Sequence, residues 1–337
     1  MGLIVGDGMR GTIAAALAVC GALGIGTTTH AEDAFLPAIV YDVGGKADKS
    51  FNEAAYRGAQ RFEKETGIAV REFEITNETQ RAQAFANMAR RGASVIVGVG
   101  FTQRAAIETV AKQYPGKKFT LIDATSDLPN VQSVVFREQE GSFLVGVLAA
   151  MASKTHKLGF VGGMDIPLIR RFAAGYAAGA RYADPATQIL VNMTGTTPAA
   201  WQDPARGAEL ARSQFDRGAD IVYAAAGSTG LGVLQAAADA KKLAIGVDSN
   251  QDYLHPGTML TSMVKRVDLA VYQAYRSAKD GTWKAGIRSL GVAEDGVGFT
   301  LDDYNATLVT PEMRTKADAA RADIVAGKIA VPDQLTP

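Results

Sequence analysis

From Pro37 onward the chain alternates short, nearly continuous apolar runs with longer stretches whose apolar residues recur every three or four positions. The runs predict strands over Ala38–Tyr41, Ala69–Phe73, Val95–Val99, Lys118–Ile122, Val131–Phe136, Lys157–Val161, Gln188–Met193, Ile221–Ala225, Leu243–Val247 and Met259–Met263. Runs without polar alternation belong to parallel strands buried on both faces. The intervening stretches predict helices. In one, Ala54, Gly58 and Phe62 share a face, Gly58 is expected to let the helix approach its sheet closely, and Glu65 faces water. Alternating βα units define an α/β class with doubly wound sheets covered by helices on both faces.

The pattern occurs twice. Arg91-Gly92-Ala93-Ser94-Val95-Ile96 leads through a glycine turn, a helix and a strand to Asp123. Arg217-Gly218-Ala219-Asp220-Ile221-Val222 leads through the same series to Asp248. Each series follows a strand, a Gly-Gly pair (Gly44-Gly45, Gly162-Gly163) and a helix with an aromatic-glycine motif (Tyr56 to Gly58, Phe172 to Gly175). Two similar lobes are therefore expected. Residues 32–154 with about 259–290 are assigned to the first, and 155–258 with about 291–337 to the second. Ser153 to Lys157 marks the first polar break, and the segment from Met259 through Lys265 and Arg266 is expected to recross. Several crossings make a hinge that permits closure and restricts other motions.

The 337 residues carry 35 basic and 35 acidic side chains, so no basic footprint for nucleic acid is present. Residues 1–31 read as an export signal. Arg10 supplies the positive charge, Gly11 to Gly26 the apolar Ala-rich segment, and Thr29-His30-Ala31 a cleavage site after Ala31, with Met9 as an alternative start. Export places the protein in the periplasm. Leu17-Ala18-Val19-Cys20 resembles a lipoprotein box, although Val19 stands where a small residue is usual. Lipidation of Cys20 would anchor the chain on the outer side of the cytoplasmic membrane. Cys20 is the single cysteine, so the mature chain has no disulfide.

Ligands of doubly wound sheets sit beyond the carboxyl ends of strands. Asp42, Asp123 and Asp248 each end a strand, and if the lobes face each other these carboxylates converge. Ionised carboxylates only accept hydrogen bonds, which suits ligand hydroxyls or N–H groups. The other reading is that each aspartate caps the following turn. Phe51, between Ser50 and Asn52 at a loop–helix junction, is a candidate stacking ring, or a hydrophobic staple. Tyr223 is its expected counterpart across the cleft, and Ser50, Phe101, Phe172 and Asn250 are further candidate ligand contacts. The turn Ala226-Gly227-Ser228-Thr229-Gly230-Leu231-Gly232 lacks P-loop spacing and lysine, yet its Gly227 and Ser228 amides suit a ligand hydroxyl. His30, His156 and His255 have no metal-ligand neighbours in the sequence, so no metal, cofactor or catalytic residue is expected.

Several segments together resemble one family. They are Asp42 with Asp48-Lys49-Ser50-Phe51-Asn52 and Gly58; Phe136 to Gly146; Gly162-Gly163-Met164 with Phe172 to Gly175; Ala226 to Val233; Ile245 to Asp248; and Leu260 to Arg266. The chain resembles the basic membrane protein group, the purine nucleoside receptor type of ABC-transporter substrate-binding proteins, from about Ala38 to Ile329-Ala330-Val331-Pro332. The resemblance implies a type I periplasmic-binding fold, a non-enzymatic role, a nucleoside in the interlobe cleft, and transfer to permease subunits. A monomer is expected. It implies that Phe51 and Tyr223 stack on the base and that Asp123 bonds its edge. It puts Asp42, Asn52, Gly227, Ser228, Asp248 and Lys265 at or near the ribose. Two departures stand out: Asn250 where the family often has an acidic residue, and Ser228 where glycine is common. Two other readings stay open: the same fold with a sugar, flavin or signalling molecule, and an enzyme using a nucleotide.

Overall fold

The computed structural model describes residues 35–335 and, ahead of them, Gly2. The expected export segment, with Cys20 and His30, lies outside the described residues except for Gly2. The first sheet takes β1 (Pro37–Tyr41), β2 (Arg71–Glu74), β3 (Val95–Gly98), β4 (Lys118–Ile122), β5 (Val131–Phe136) and β11 (Gly286–Leu290). The second takes β6 (Lys157–Met164), β7 (Gln188–Gly195), β8 (Ile221–Ala225), β9 (Leu243–Asp248), β10 (Met259–Lys265) and β12 (Val297–Phe299). Their orders are β11-β5-β4-β3-β1-β2 and β12-β10-β9-β8-β6-β7. All neighbouring strands run parallel except β10 and β12. In each sheet the winding direction reverses once, between β1 and β3 and between β6 and β8, and ligands of such sheets sit at that reversal.

The helices are α1 (Phe51–Thr66), α2 (Arg81–Arg90), α3 (Arg104–Gln113), α4 (Glu138–Ala152), α5 (Pro167–Ala183), α6 (Pro204–Asp216), α7 (Thr229–Asp239), α8 (Val267–Lys279) and α9 (Pro311–Val325). The ten expected strands are present. The first-lobe edge strand starts two residues later than expected, at Arg71, and β11 and β12 are additional. The central strands β1, β3 and β8 are buried along their whole length, which is why they read as unbroken apolar runs.

Two boundaries differ from the expected division. Met259–Lys265 continues the parallel pairing of β9 and so belongs to the second sheet, not the first lobe. The helix α4 packs on α5, β10 and α9, so the chain leaves the first sheet at Arg137 and not at Ser153. The remaining crossings are at Arg266 and between Leu290 and Val297. Arg137 braces the first of these against the last. Its Nε donates to Glu140 at 2.6 Å, its Nη2 to Glu294 at 2.5 Å and its Nη1 to the Ser289 carbonyl at 3.2 Å. Glu140 also accepts from the Val292 amide at 2.8 Å.

Gly58 does not approach the sheet, as expected, but the neighbouring helix. A Cβ there would lie 2.9 Å from Asp268 Cα and closer still to its carbonyl oxygen, at the crossing of α1 and α8. Backbone against backbone has no rotamer with which to yield. Gly58→Ala is therefore expected to destabilise by about 1–3 kcal/mol, read as a lower urea midpoint with an unchanged slope.

Candidate functional site

The winding reversals put the ends of β1, β3, β6 and β8 opposite one another, and a partly open cavity lies between them. Of the thirteen candidate residues, ten line it: Asp42, Phe51, Asn52, Phe101, Asp123, Phe172, Gly227, Ser228, Asp248 and Lys265. Sequence reasoning missed Asp48, Leu168, Ile169 and Trp201, which also line it.

Three candidates fall elsewhere. Tyr223 is fully buried within the second lobe, its ring 5.4 Å from that of Phe160 and 5.2 Å from that of Tyr176, its hydroxyl 3.4 Å from Ser142 Oγ. Only strand tips reach the cleft, and Tyr223 sits two residues before the end of β8, on the sheet face covered by α4 and α5. The second aromatic wall comes instead from Trp201, at the end of a short 3-10 turn Pro198–Trp201, and from Phe172 on α5. Asn250 is taken up within its own lobe. Its Nδ2 donates to Asp302 at 2.7 Å and its Oδ1 accepts the Asp252 amide at 2.9 Å. Ser50 is fully buried beside the cavity and joins the lobes. Its Oγ donates to Asp248 Oδ2 at 2.5 Å and its carbonyl accepts from Ser249 Oγ at 2.8 Å. Gln251 Nε2 adds a bond to the Lys49 carbonyl at 2.9 Å.

The loop before α1 is set by Asp48, whose carboxylate accepts from the amides of Ser50 at 2.8 Å, Asn52 at 2.9 Å and Glu53 at 3.0 Å. Capturing these free helix-start donors turns Phe51 toward the cavity. Burial still pushes the Asp48 carboxyl above its ordinary range, against those amides. The Asn52 amide spans the Asp42 backbone, accepting its N–H at 3.1 Å. Asp42 itself accepts from Arg81 Nη2 and from the Val43 amide, both at 2.8 Å, and from Thr102 Oγ1. Asp42 thus lines the wall with its oxygens already supplied.

Asp123, just after β4, and Asp248, at the end of β9, have left-handed backbones, φ 68° and 64°. Aspartate tolerates that conformation, which turns the chain sharply and leaves the side chain at the strand tip. Between them lies Lys265, the last residue of β10. Its Nζ donates to Asp123 Oδ2 at 2.6 Å and is 3.1 Å from Glu138 Oε1. The ammonium is also 5.2 Å from the Phe51 ring, 5.0 Å from Phe136 and 5.7 Å from Phe172. Arg171 Nε holds the other Glu138 oxygen at 3.0 Å. Burial alone would favour deprotonation of Lys265; Asp123, Glu138 and Asp248 outweigh it and raise its pKa. Burial raises the Asp123 carboxyl even against the pull of Lys265. Its Oδ1 is buried with no hydrogen-bond donor among the described residues.

A sequence profile of the PnrA-like ABC transporter substrate-binding proteins, the Bmp family, matches residues 35–334. The chain belongs to this family. It is 37% identical to an uncharacterized lipoprotein of Pyrococcus abyssi, over 83% of this chain and 73% of that protein. It is 31% identical to the ABC transporter nucleoside-binding protein BmpA of Lactococcus lactis, over 92% of each chain. A solved ABC transporter solute-binding protein of Aeropyrum pernix K1 superposes with TM-score 0.80 at 29% identity, covering 89% of this chain and 94% of that one. One from Conexibacter woesei shares the fold, with TM-score 0.73 at 23% identity, covering 88% of this chain and 99% of that one. The fold is thus the type I periplasmic-binding class. As a family member, this substrate-binding protein takes a small solute to the permease components of an ABC transporter, outside the cytoplasm. Among the described residues no helix is long and apolar enough to cross a membrane.

Burial raises the Asp248 carboxyl to about 6, against the opposing pull of Lys265 and the Ser50 hydroxyl. A carboxyl that holds its proton more tightly when folded favours the folded state most below the ordinary value of 3.8, and that contribution is lost as pH rises through about 6. Relative to Asp248→Asn, the wild type is expected to lose about 1–3 kcal/mol across that window, measured by urea denaturation at a series of pH values.

Proposed function

We propose that the cleft captures an uncharged nucleoside, with a purine base favoured, and releases it to an ABC importer. The observation that carries this reading is a cavity lined by the rings of Phe51, Phe172 and Trp201 together with a buried Asp123 oxygen that lacks a donor. Flat rings suit such walls, and offset ring contacts contribute about 1 kcal/mol each beyond burial. A base N–H supplies the donor that Asp123 Oδ1 lacks. Gly227, Ser228 and Asp248 offer amides and a carboxylate to ribose hydroxyls. The name of the Lactococcus lactis relative, a nucleoside-binding protein, agrees with this reading.

The charges favour a nucleoside over a nucleotide. Asp42, Asp48, Asp123 and Asp248 line the cavity against one cation, Lys265, which is already paired. A phosphate there meets like charge and finds no free ammonium. The carboxylate-rich wall also suits a sugar, which keeps the same fold with another polar solute as the second reading. Mass spectrometry of ligand carried through native purification separates the two.

Closure follows from contacts to both lobes, since only the closed form makes both sets. The protein acts as a monomer in this scheme. It works in the periplasm, or tethered to the outer face of the cytoplasmic membrane if Cys20 carries lipid.

In a thermal-shift series of guanosine, inosine, adenosine and uridine, at least one nucleoside is expected to stabilise the protein, by about 2.7 kcal/mol at ~100 times its dissociation constant. Phe51→Ala and Asp123→Ala should each abolish the shift while both variants stay folded. Retained affinity in both would overturn the assignment. The 5′-monophosphate of the preferred nucleoside is expected to bind at least ~100-fold more weakly, a difference of about 2.7 kcal/mol, by isothermal titration calorimetry.

A further inference from the structure

Trp201 is not carried by a strand tip or a long helix. It closes a 3-10 turn of four residues, Pro198–Trp201, between β7 and α6. A turn this short does not fix an indole, so its position must come from what packs on it. On one side lies Gly163, near the end of β6. A Cβ at 163 would stand 2.9 Å from Trp201 Cη2 and nearer still to Cε3 and Cζ3. Real Cβ atoms essentially never come so close to a ring, so the indole occupies the space that any other residue at 163 would fill. The same ring edge also meets Gly227, whose added Cβ would sit 3.7 Å from Cε3, an ordinary contact.

The backbone of the turn is held separately. The Ala200 carbonyl accepts from Thr229 Oγ1 at 2.8 Å and from Thr194 Oγ1 at 2.9 Å. Thr229 Oγ1 also accepts the Asp203 amide at 2.7 Å and is fully buried at the start of α7. One hydroxyl thereby ties the C-terminal end of the turn and the start of α6 to the helix that follows the glycine-rich loop.

We propose that Gly163 and Thr229 are positioning residues for the ligand: Gly163 seats the Trp201 indole against the cavity, and Thr229 fixes the turn that carries it. The proposal rests on the cleft taking a planar ligand as inferred above. The size of the ring at 201 and the absence of a side chain at 163 form a matched pair. A bulkier residue at 163 displaces the indole, and a smaller ring at 201 relieves the conflict.

The test is a double-mutant cycle in a Trp283→Phe background, so that Trp201 is the one tryptophan. Gly163→Ala should shift the indole emission of the ligand-free protein and raise its acrylamide quenching. It should also weaken the best-binding nucleoside at least ~10-fold. With Trp201→Phe already present, Gly163→Ala should change affinity by no more than ~3-fold, because the coupled partner is gone. Thr229→Val, which keeps the shape and removes the hydroxyl, should reproduce the spectral change with cooperative melting intact. An unchanged spectrum in both Gly163→Ala and Thr229→Val would overturn the proposal. So would an affinity loss in Gly163→Ala that is the same with and without Trp201→Phe. If no nucleoside binds the wild type, the reading of the ligand falls, while the ligand-free spectra still decide where the indole is seated.

Discussion

A buried ammonium group organises the cleft. Lys265 ends β10 just before the chain crosses back to the first lobe, and its charge is shared between Asp123 of the first lobe and Glu138 at the start of α4. Removing such groups from water is costly, and mutual attraction offsets that cost only where the geometry is close and the charges balance. Arg171 completes the balance by holding the second Glu138 oxygen. The aromatic faces of Phe51, Phe136 and Phe172 surround the ammonium and exclude water while attracting the charge. Two properties of the cavity follow. Its cation is committed, so little positive charge is left for a ligand. One oxygen of Asp123 is occupied, and the other is left facing without a donor.

The strand tips deliver these groups because doubly wound sheets leave their carboxyl ends uncovered where the winding reverses. The left-handed backbone at Asp123 and Asp248 turns the chain at once after the strand. That conformation is less strained for aspartate than for most residues. The lobes then meet through Ser50, Lys49, Asp248, Ser249 and Gln251, all within two loops. The chain also crosses between the lobes three times, with Arg137 coupling two of the crossings, an arrangement that suits a hinge.

Much of the fold was legible because parallel strands covered on both faces leave an unbroken apolar trace, as in Ile221–Ala225. The strands β11 and β12 left no such trace. Both lie at sheet edges, and β11 is mostly exposed, so its Gly-Ile-Arg-Ser-Leu sequence reads as loop. The strand-end aspartates and Phe51 were legible for a related reason: a polar or aromatic residue just past an apolar run has few places to go. Tyr223 misled the reading because an aromatic inside a strand reaches a cleft only from the tip, and its hydroxyl found Ser142 inside the lobe. Trp201 gave no signal, since nothing local in Pro198–Trp201 says which cavity the turn overhangs. Asp48 was read only as part of the motif; its three backbone bonds appear once the loop is folded.

The amino-acid sequence alone determined the α/β class, the two-lobe repeat, most strand positions and the placement of Asp42, Asp123 and Asp248 at strand ends. These follow from period and punctuation, which act over a few residues and survive any detail of packing. The tertiary structure decided which aromatics line the cleft, which carboxylate oxygens are already satisfied, and where the chain changes lobe. Those depend on distances between segments far apart in the chain, such as Gly163 to Trp201 and Lys265 to Asp123, and no local pattern encodes a distance.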